Sequence, residues 1–207
     1  MTEAQTPRRV GEVVESASDR FVAQCYTLYG SPPLGAFVRA GSEGANGDGT
    51  LVYGVVYGVS TRSLDPGRPV IARGGDAVSE EAVYDDNPQL SRLLCTRFEA
   101  VITGHSAGGC LKQYLPPLPP RIHSFVFECA GGEEREAARG LGFLSLLLSS
   151  SPLGPGMADE VIAACLRRAS AQQQDPQGFL VEAGKALAAH LSGDLTRLDS
   201  ILRRLRP

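Results

Sequence analysis

The run Leu51–Ser60 (LVYGVVYGVS) constrains this chain more than any other segment. Its alternation predicts a long strand with Leu51, Tyr53, Val55, Tyr57 and Val59 on one face and Val52, Gly54, Val56, Gly58 and Ser60 on the other. Glycines at Gly54 and Gly58, on the same face with Val56 between them, leave room for a sharp bend, a bulge or the close approach of another backbone. Strong curvature of that kind is what a small closed sheet needs.

Shorter runs of the same type flank it. Val10–Ser16, Phe21–Leu28 and Gly35–Ala40 read as strands separated by Ala17-Ser18-Asp19 and Gly30-Ser31-Pro32-Pro33, and Gly41–Gly49 reads as a mobile hairpin tip. Phe98–Thr103 and Cys110–Leu115 bring the count to six strands, and Ile122–Phe127 is a candidate closing strand. Between them, Thr61–Arg97 is a long excursion with a short strand expected at Val70–Ala72 and helical turns at Ser79–Tyr84 and Gln89–Cys95. Pro116-Pro117-Leu118-Pro119-Pro120 predicts an extended polyproline segment that carries the chain out of the β region. Beyond it the periodicity turns helical: Glu133–Leu148, weakened by Gly140 and Gly142, then Met157–Ala169 with Val161, Ile162, Cys165, Leu166 and Ala169 on one stripe. Asp175-Pro176 signals a helix start, with Phe179, Leu180, Ala183 and Leu187 facing inward and Gly193 ending it. Asp194 caps a last helix bearing Leu195, Leu198, Leu202 and Leu205. The fold class is α+β: a small N-terminal six-stranded antiparallel β-barrel over residues 8–128, followed by a helical C-terminal region over residues 131–207.

The strand pattern of Gly11–Val14, Arg20–Tyr26, Pro33–Val38 and Leu51–Ser60 resembles the HAS barrel, the N-terminal barrel of HerA-type DNA translocases and of the catalytic-ring subunits of rotary ATP synthases. That resemblance implies a module that assembles with copies of itself in a crown or docks onto an ATPase or DNA-processing partner. No catalytic residue transfers with it, because the motor domain has no counterpart. The nearest approach to a phosphate loop, Gly178 to Gly184-Lys185-Ala186, has the wrong spacing, ends in alanine and falls within a helix.

Two rival readings rest on local motifs. Gly104-His105-Ser106-Ala107-Gly108 matches the G-x-S-x-G nucleophile elbow of α/β-hydrolases, in which Ser106 would act with Asp159 or Asp175 and with His190. Its context opposes this: Pro116 follows ten residues after Ser106, His190 lies within a helix, and Gly108-Gly109 suits a hairpin. The second rival is a nucleic-acid adaptor using Arg197, Arg203, Arg204 and Arg206, a cluster equally suited to complement a helix C-terminus.

Composition narrows the choice further. Residues 1–132 carry 14 acids and 11 bases and residues 133–207 carry nine of each, so neither part has the basic excess of a phosphate-binding domain. His105, His123 and His190 are scattered and the cysteines include no C-x-x-C, so neither a metal nor a cofactor is expected. Glu80-Glu81 and Asp85-Asp86 read as a solvated face. Five widely spaced cysteines fit buried thiols in a reducing compartment, and the polar start lacks the apolar core of a signal peptide. The expected location is the cytoplasm, and the expected role is non-enzymatic.

Overall fold

A computed structural model describes residues 7–41, 49–150 and 152–205. Strands β1 (Arg8–Ser16), β2 (Arg20–Cys25), β3 (Phe37–Ala40) and β4 (Leu51–Ser63) are followed by helices α1 (Glu80–Asp86) and α2 (Leu90–Leu93). Then come β5 (Leu94–Ala107), β6 (Cys110–Lys112) and β7 (Phe125–Glu128). Helices α3 (Gly132–Ala138), α4 (Phe143–Ser149), α5 (Pro155–Ala171), α6 (Pro176–His190) and α7 (Leu195–Leu205) complete an α+β fold.

Six strands close on themselves. β1 bonds to β2 and β7, β2 to β5, β5 to β4, β4 to β3, and β3 to β7, each pair antiparallel. The closing member is β7, so the expected closing strand is a full part of the ring. The segment at Cys110, expected among the six, is instead a three-residue flap on the end of β5. The polyproline segment accordingly returns the chain to the ring, where the Ser16 hydroxyl donates to the Pro120 carbonyl at 2.6 Å. Two bulges interrupt the β4–β5 pairing, between Tyr53 and Gly54 and between Val56 and Gly58. Both expected glycine positions therefore mark points where the ladder shifts and the strand turns. Most of the tip expected at 41–49 lies outside the described residues.

The alternation read from β4 divides the core in two. Val52 and Val56 join Val13, Phe21, Ala23, Val38, Phe98, Ala100, Ile102 and Val126 inside the ring. Val55 and Tyr57 face outward with Phe37 and Val101, where helices cover them. Phe37 meets Phe143 of α4 edge-to-face, with centroids 5.2 Å apart. The α5 stripe of Val161, Ile162, Cys165, Leu166 and Ala169 is buried, as are Ala183, Leu187, Ile201 and Leu205 of the last two helices. Leu195, expected on that stripe, is 70% exposed because it sits in the first turn of α7, and Ile201 takes the inward position instead.

The helix expected over Glu133–Leu148 is two helices, α3 and α4, separated by a turn in which Gly140 and Leu141 have φ of 73° and 59°. Gln113 closes this break. Its amide donates to the carbonyls of Ala137 (2.9 Å) and Arg139 (2.8 Å), and its carbonyl accepts from the Gly142 N–H at 2.8 Å. One side chain thus satisfies backbone groups left open at a helix end and a helix start. The expected caps at Asp175 and Asp194 are present, each carboxylate accepting from an N–H three residues on at 2.9 Å.

Gly35 sets how closely the helices approach the ring. Its φ is +77°, and a Cβ there would lie 2.5 Å from the Cys165 nitrogen and 2.7 Å from the Ala164 carbonyl carbon, both backbone atoms of α5. Gly35→Ala should destabilise the protein by about 1–3 kcal/mol through steric displacement of α5, with the left-handed backbone adding to the loss. Gly75→Ala, where nothing lies within 4 Å, serves as the near-silent control in urea denaturation.

Candidate functional site

Three regions hold chemistry-bearing or unpartnered side chains: the β5–β6 hairpin, the α5–α7 contact, and a charged cavity beside β7. A fourth, the excursion between β4 and β5, presents an uncovered surface.

Ser106 lies on β5, opposite Leu51 on one side and Leu111 on the other. The chain after it turns at Gly108 and Gly109, whose φ values of 62° and 77° give the two-residue hairpin, and returns as β6. The G-x-S-x-G motif is therefore strand–turn–strand, where a nucleophile elbow is strand–turn–helix. His105 is adjacent on the strand and points to the opposite face, where it is buried and its Nδ1 lies 3.1 Å from the Tyr114 carbonyl. Among the described residues, no hydrogen bond joins Ser106, Asp159 and His190. Asp159 is on α5, buried, and accepts from Arg197 at 2.7 Å; His190 is exposed at the end of α6; Asp175 caps that helix.

The C-terminal arginines are also engaged within the chain. Arg197 holds Asp159, Arg204 holds Glu160 at 2.6 Å, and Arg203 holds Asp199 at 2.8 Å. Two of these pairs tie α7 to α5, while the Arg203 pair lies on the exposed face of α7 itself. Arg206 lies outside the described residues. The cluster is a clamp between helices, which the sequence could not show because the acids of α5 lie far away along the chain.

The charged cavity has a volume of about 450 Å³ and lies among the end of β7, α3 and α5, with Arg8 on its rim. Glu128 accepts from Arg8 at 2.6 and 3.2 Å and from Arg168 at 3.4 Å. Glu134 is only 2% exposed; among the described residues its buried Oε1 accepts no hydrogen bond, and Arg168 Nε lies 3.9 Å from it. Burial is the main cause that pushes its carboxyl above the ordinary range, opposed by Arg168 and reinforced by Glu128. Cys129 in the cavity wall is buried, and its thiol is held well above its ordinary pKa by desolvation. Beside it, Arg39 pairs with Glu133 at 2.5 Å, and the Tyr53 hydroxyl donates to Glu133 at 3.3 Å. Sequence reading missed this constellation; its only local signal was the adjacent Glu133-Glu134 opening a helix.

The excursion differs from the rest. No residue from Gly58 to Leu94 is buried. Leu64, Val70, Ile71 and Leu93 are 40–62% exposed and Val78 is 97% exposed. Val70–Ala72 has no regular structure, although it reads as a strand in sequence. The excursion is nevertheless anchored: Ser79 caps α1, and the Tyr29 and Tyr84 hydroxyls are hydrogen-bonded with the rings edge-to-face. Leu64, Pro69, Val70, Ile71, Leu90 and Leu93 line a 210 Å³ apolar hollow. Four of the five cysteines are buried, and Cys110 on the flap is exposed. Among the described residues, no helix is long and apolar enough to cross a membrane, and no group of three His, Cys, Asp or Glu stands ready for a metal ion.

Two measurements test these assignments. Asp159→Asn should cost about 1.5–3 kcal/mol in denaturant unfolding, the range for a hydrogen bond to a charged group, whereas Ser106→Ala should be nearly silent. For Glu134 the folded-state pKa is raised, so the native state binds the extra proton, and stability falls as pH rises from the ordinary carboxyl range to the raised value. Glu134→Gln should remove that fall and leave the protein more stable at neutral pH, read as the pH dependence of the urea midpoint. Compared with known proteins, the chain matches no family model and no curated protein.

Proposed function

We propose that this protein is a non-enzymatic assembly module, a HAS-like barrel that docks through the β4–β5 excursion onto a second copy of itself. The observation that carries this reading is the uncovered excursion: an anchored segment with five exposed large aliphatic side chains and no buried residue of its own. Aliphatic surface grouped in this way marks an interaction site. The excursion is also self-complementary in charge. Arg62, Arg68 and Arg73 outnumber Asp65 on its first half, and Asp76, Glu80, Glu81, Asp85 and Asp86 outnumber Arg92 on its second, all exposed. A copy of the same surface offers the matching sign to each half and an aliphatic residue for the apolar hollow.

The closed six-strand antiparallel ring and the bulged β4 support the HAS-like reading of the β region. In that reading the helices reinforce the ring's outer face, and the ribbon beyond Gly58 is left free to meet a neighbour. Five free cysteines suit a reducing compartment, and we assign the protein to the cytoplasm. The hydrolase and nucleic-acid readings gain nothing from the geometry, since Ser106 lies on a hairpin and Arg197, Arg203 and Arg204 are paired within the chain.

Sedimentation velocity across a concentration series tests the proposal. The wild-type protein should self-associate, more weakly at high salt, and the Val70→Asp/Ile71→Asp double variant should sediment as a monomer with an unchanged circular dichroism spectrum. A wild type that is monomeric throughout overturns self-assembly. If native-extract capture then retrieves an ATPase or DNA-processing protein that the double variant loses, the excursion docks onto that partner instead.

A further inference from the structure

The β4–β5 ribbon carries an open strand edge, and the phase of its ladder shows which backbone groups stand on it. At the ring end, the Val56 N–H donates to the Ala36 carbonyl (3.0 Å) and the Val56 carbonyl accepts from Gly35 (2.8 Å), so both point away from β5. The bulge between Val56 and Gly58 then shifts the phase. At the far end, the Leu64 N–H donates to the Leu93 carbonyl at 2.8 Å. Antiparallel alternation from Leu64 turns Arg62, Ser60 and Gly58 toward β5, and Ser63, Thr61 and Val59 away from it. The Thr61 and Thr96 hydroxyls, 2.9 Å apart, agree, because opposed side chains come closest across a pair that exchanges no backbone bonds. Among the described residues, β3 pairs with β4 only as far as Val55, and no backbone group from another segment bonds to Val59, Thr61 or Ser63 on that side. The strand is open there: Val59 is 48% exposed, and Ser60, Thr61 and Arg62 are exposed.

A row of unpaired N–H and C=O groups is a template for another strand, and this row suits a second copy of itself. It is bounded by Val56 at one end and at the other by the Asp65-Pro66-Gly67 turn, where the Gly67 N–H donates to Asp65 Oδ1 at 2.9 Å. An antiparallel copy placed about a two-fold axis at Thr61 has the same bounds. Thr61 then meets Thr61 and Val59 meets Ser63, giving about six hydrogen bonds between the copies. Sliding the register by two residues leaves one outward residue of each copy unmatched, and one of the two slides sets Arg62 against Arg62. In the centred register Arg62 faces Ser60, and the two guanidinium groups lie on a diagonal where long side chains can turn apart. The same register sets Val59 beside Ser63 of the other copy, where the apolar hollow opens.

We propose that two copies join edge to edge through β4, in one continuous sheet of order β5–β4–β4–β5 with the two-fold axis at Thr61. This inference rests on the assembly reading above and fixes its geometry. A contact of this isologous kind is used up by one partner, so assembly stops at a dimer instead of building a crown.

Oxidative cross-linking tests the register. With Cys110→Ser in both, a mixture of the Ser60→Cys and Arg62→Cys variants should form intermolecular disulfides about tenfold or more faster than either variant alone. Thr61→Pro deletes an N–H that is unused within the chain, so it should keep the wild-type circular dichroism spectrum and weaken dimerisation in sedimentation velocity by about tenfold or more. Thr61→Val, which loses only the hydroxyl, should dimerise like the wild type. Where the proline disturbs the fold, the cross-link decides. A wild type that dimerises without the mixed cross-link, or alongside a folded Thr61→Pro that dimerises equally well, overturns edge pairing and leaves assembly through the excursion standing. A wild type that is monomeric at every concentration overturns both.

Discussion

The structure depends on one backbone-to-backbone contact, the seating of α5 against Gly35. At this point the ring and the longest helix approach until no side chain fits between them. The Gly35 N–H donates to the Val56 carbonyl at 2.8 Å, so the same residue is also held to the strand that bends most. Directly after it the chain divides its side chains: Ala36 enters the ring, and Phe37 turns outward to Phe143. The close seat allows an α5 stripe of mostly small and medium residues to reach the outer face of the sheet. It also brings Arg168, near the end of α5, to the rim of β7.

From that seat follow two kinds of surface. Where α4 and α5 cover the ring, Val55, Tyr57 and Val101 complete a second core shared with helices. Where they do not, β4 and β5 run on together as a ribbon and lead into the uncovered excursion. A segment of that length with no core must be held by its ends and by local caps, as the Tyr29–Tyr84 contact and Ser79 do here. The aliphatic side chains it presents stay 40–97% exposed, which is why we propose it as the assembly surface.

A cluster of buried and half-buried charges lies where β7 meets α3 and α5. Arg39 with Glu133, and Arg8 and Arg168 with Glu128, fix the end of the ring to the helices. In this group Glu134 Oε1 and Arg168 Nε face each other at 3.9 Å, too far apart for a hydrogen bond. The desolvation Glu134 suffers on burial works against folding, opposed in part by the Arg168 charge.

The alternation of Leu51–Ser60 determined the strand, its two faces and its two points of bending, because a period of two and glycine's lack of a side chain act locally. The caps at Asp175 and Asp194 and the α5 stripe were legible for the same reason. What the sequence left open was decided by distant contacts. Which strand closes the ring depends on β7 finding both β1 and β3, and Cys110–Lys112, though strand-like, meets only the end of β5. The break between α3 and α4 is stabilised by Gln113 from a different part of the chain. Likewise, the arginines of α7 became an interhelix clamp only because α5 placed Asp159 and Glu160 opposite them. The sequence alone determined the elements and their faces. The tertiary structure decided which elements meet, and hence which charges are paired, which carboxylate is buried, and which apolar surface stays uncovered.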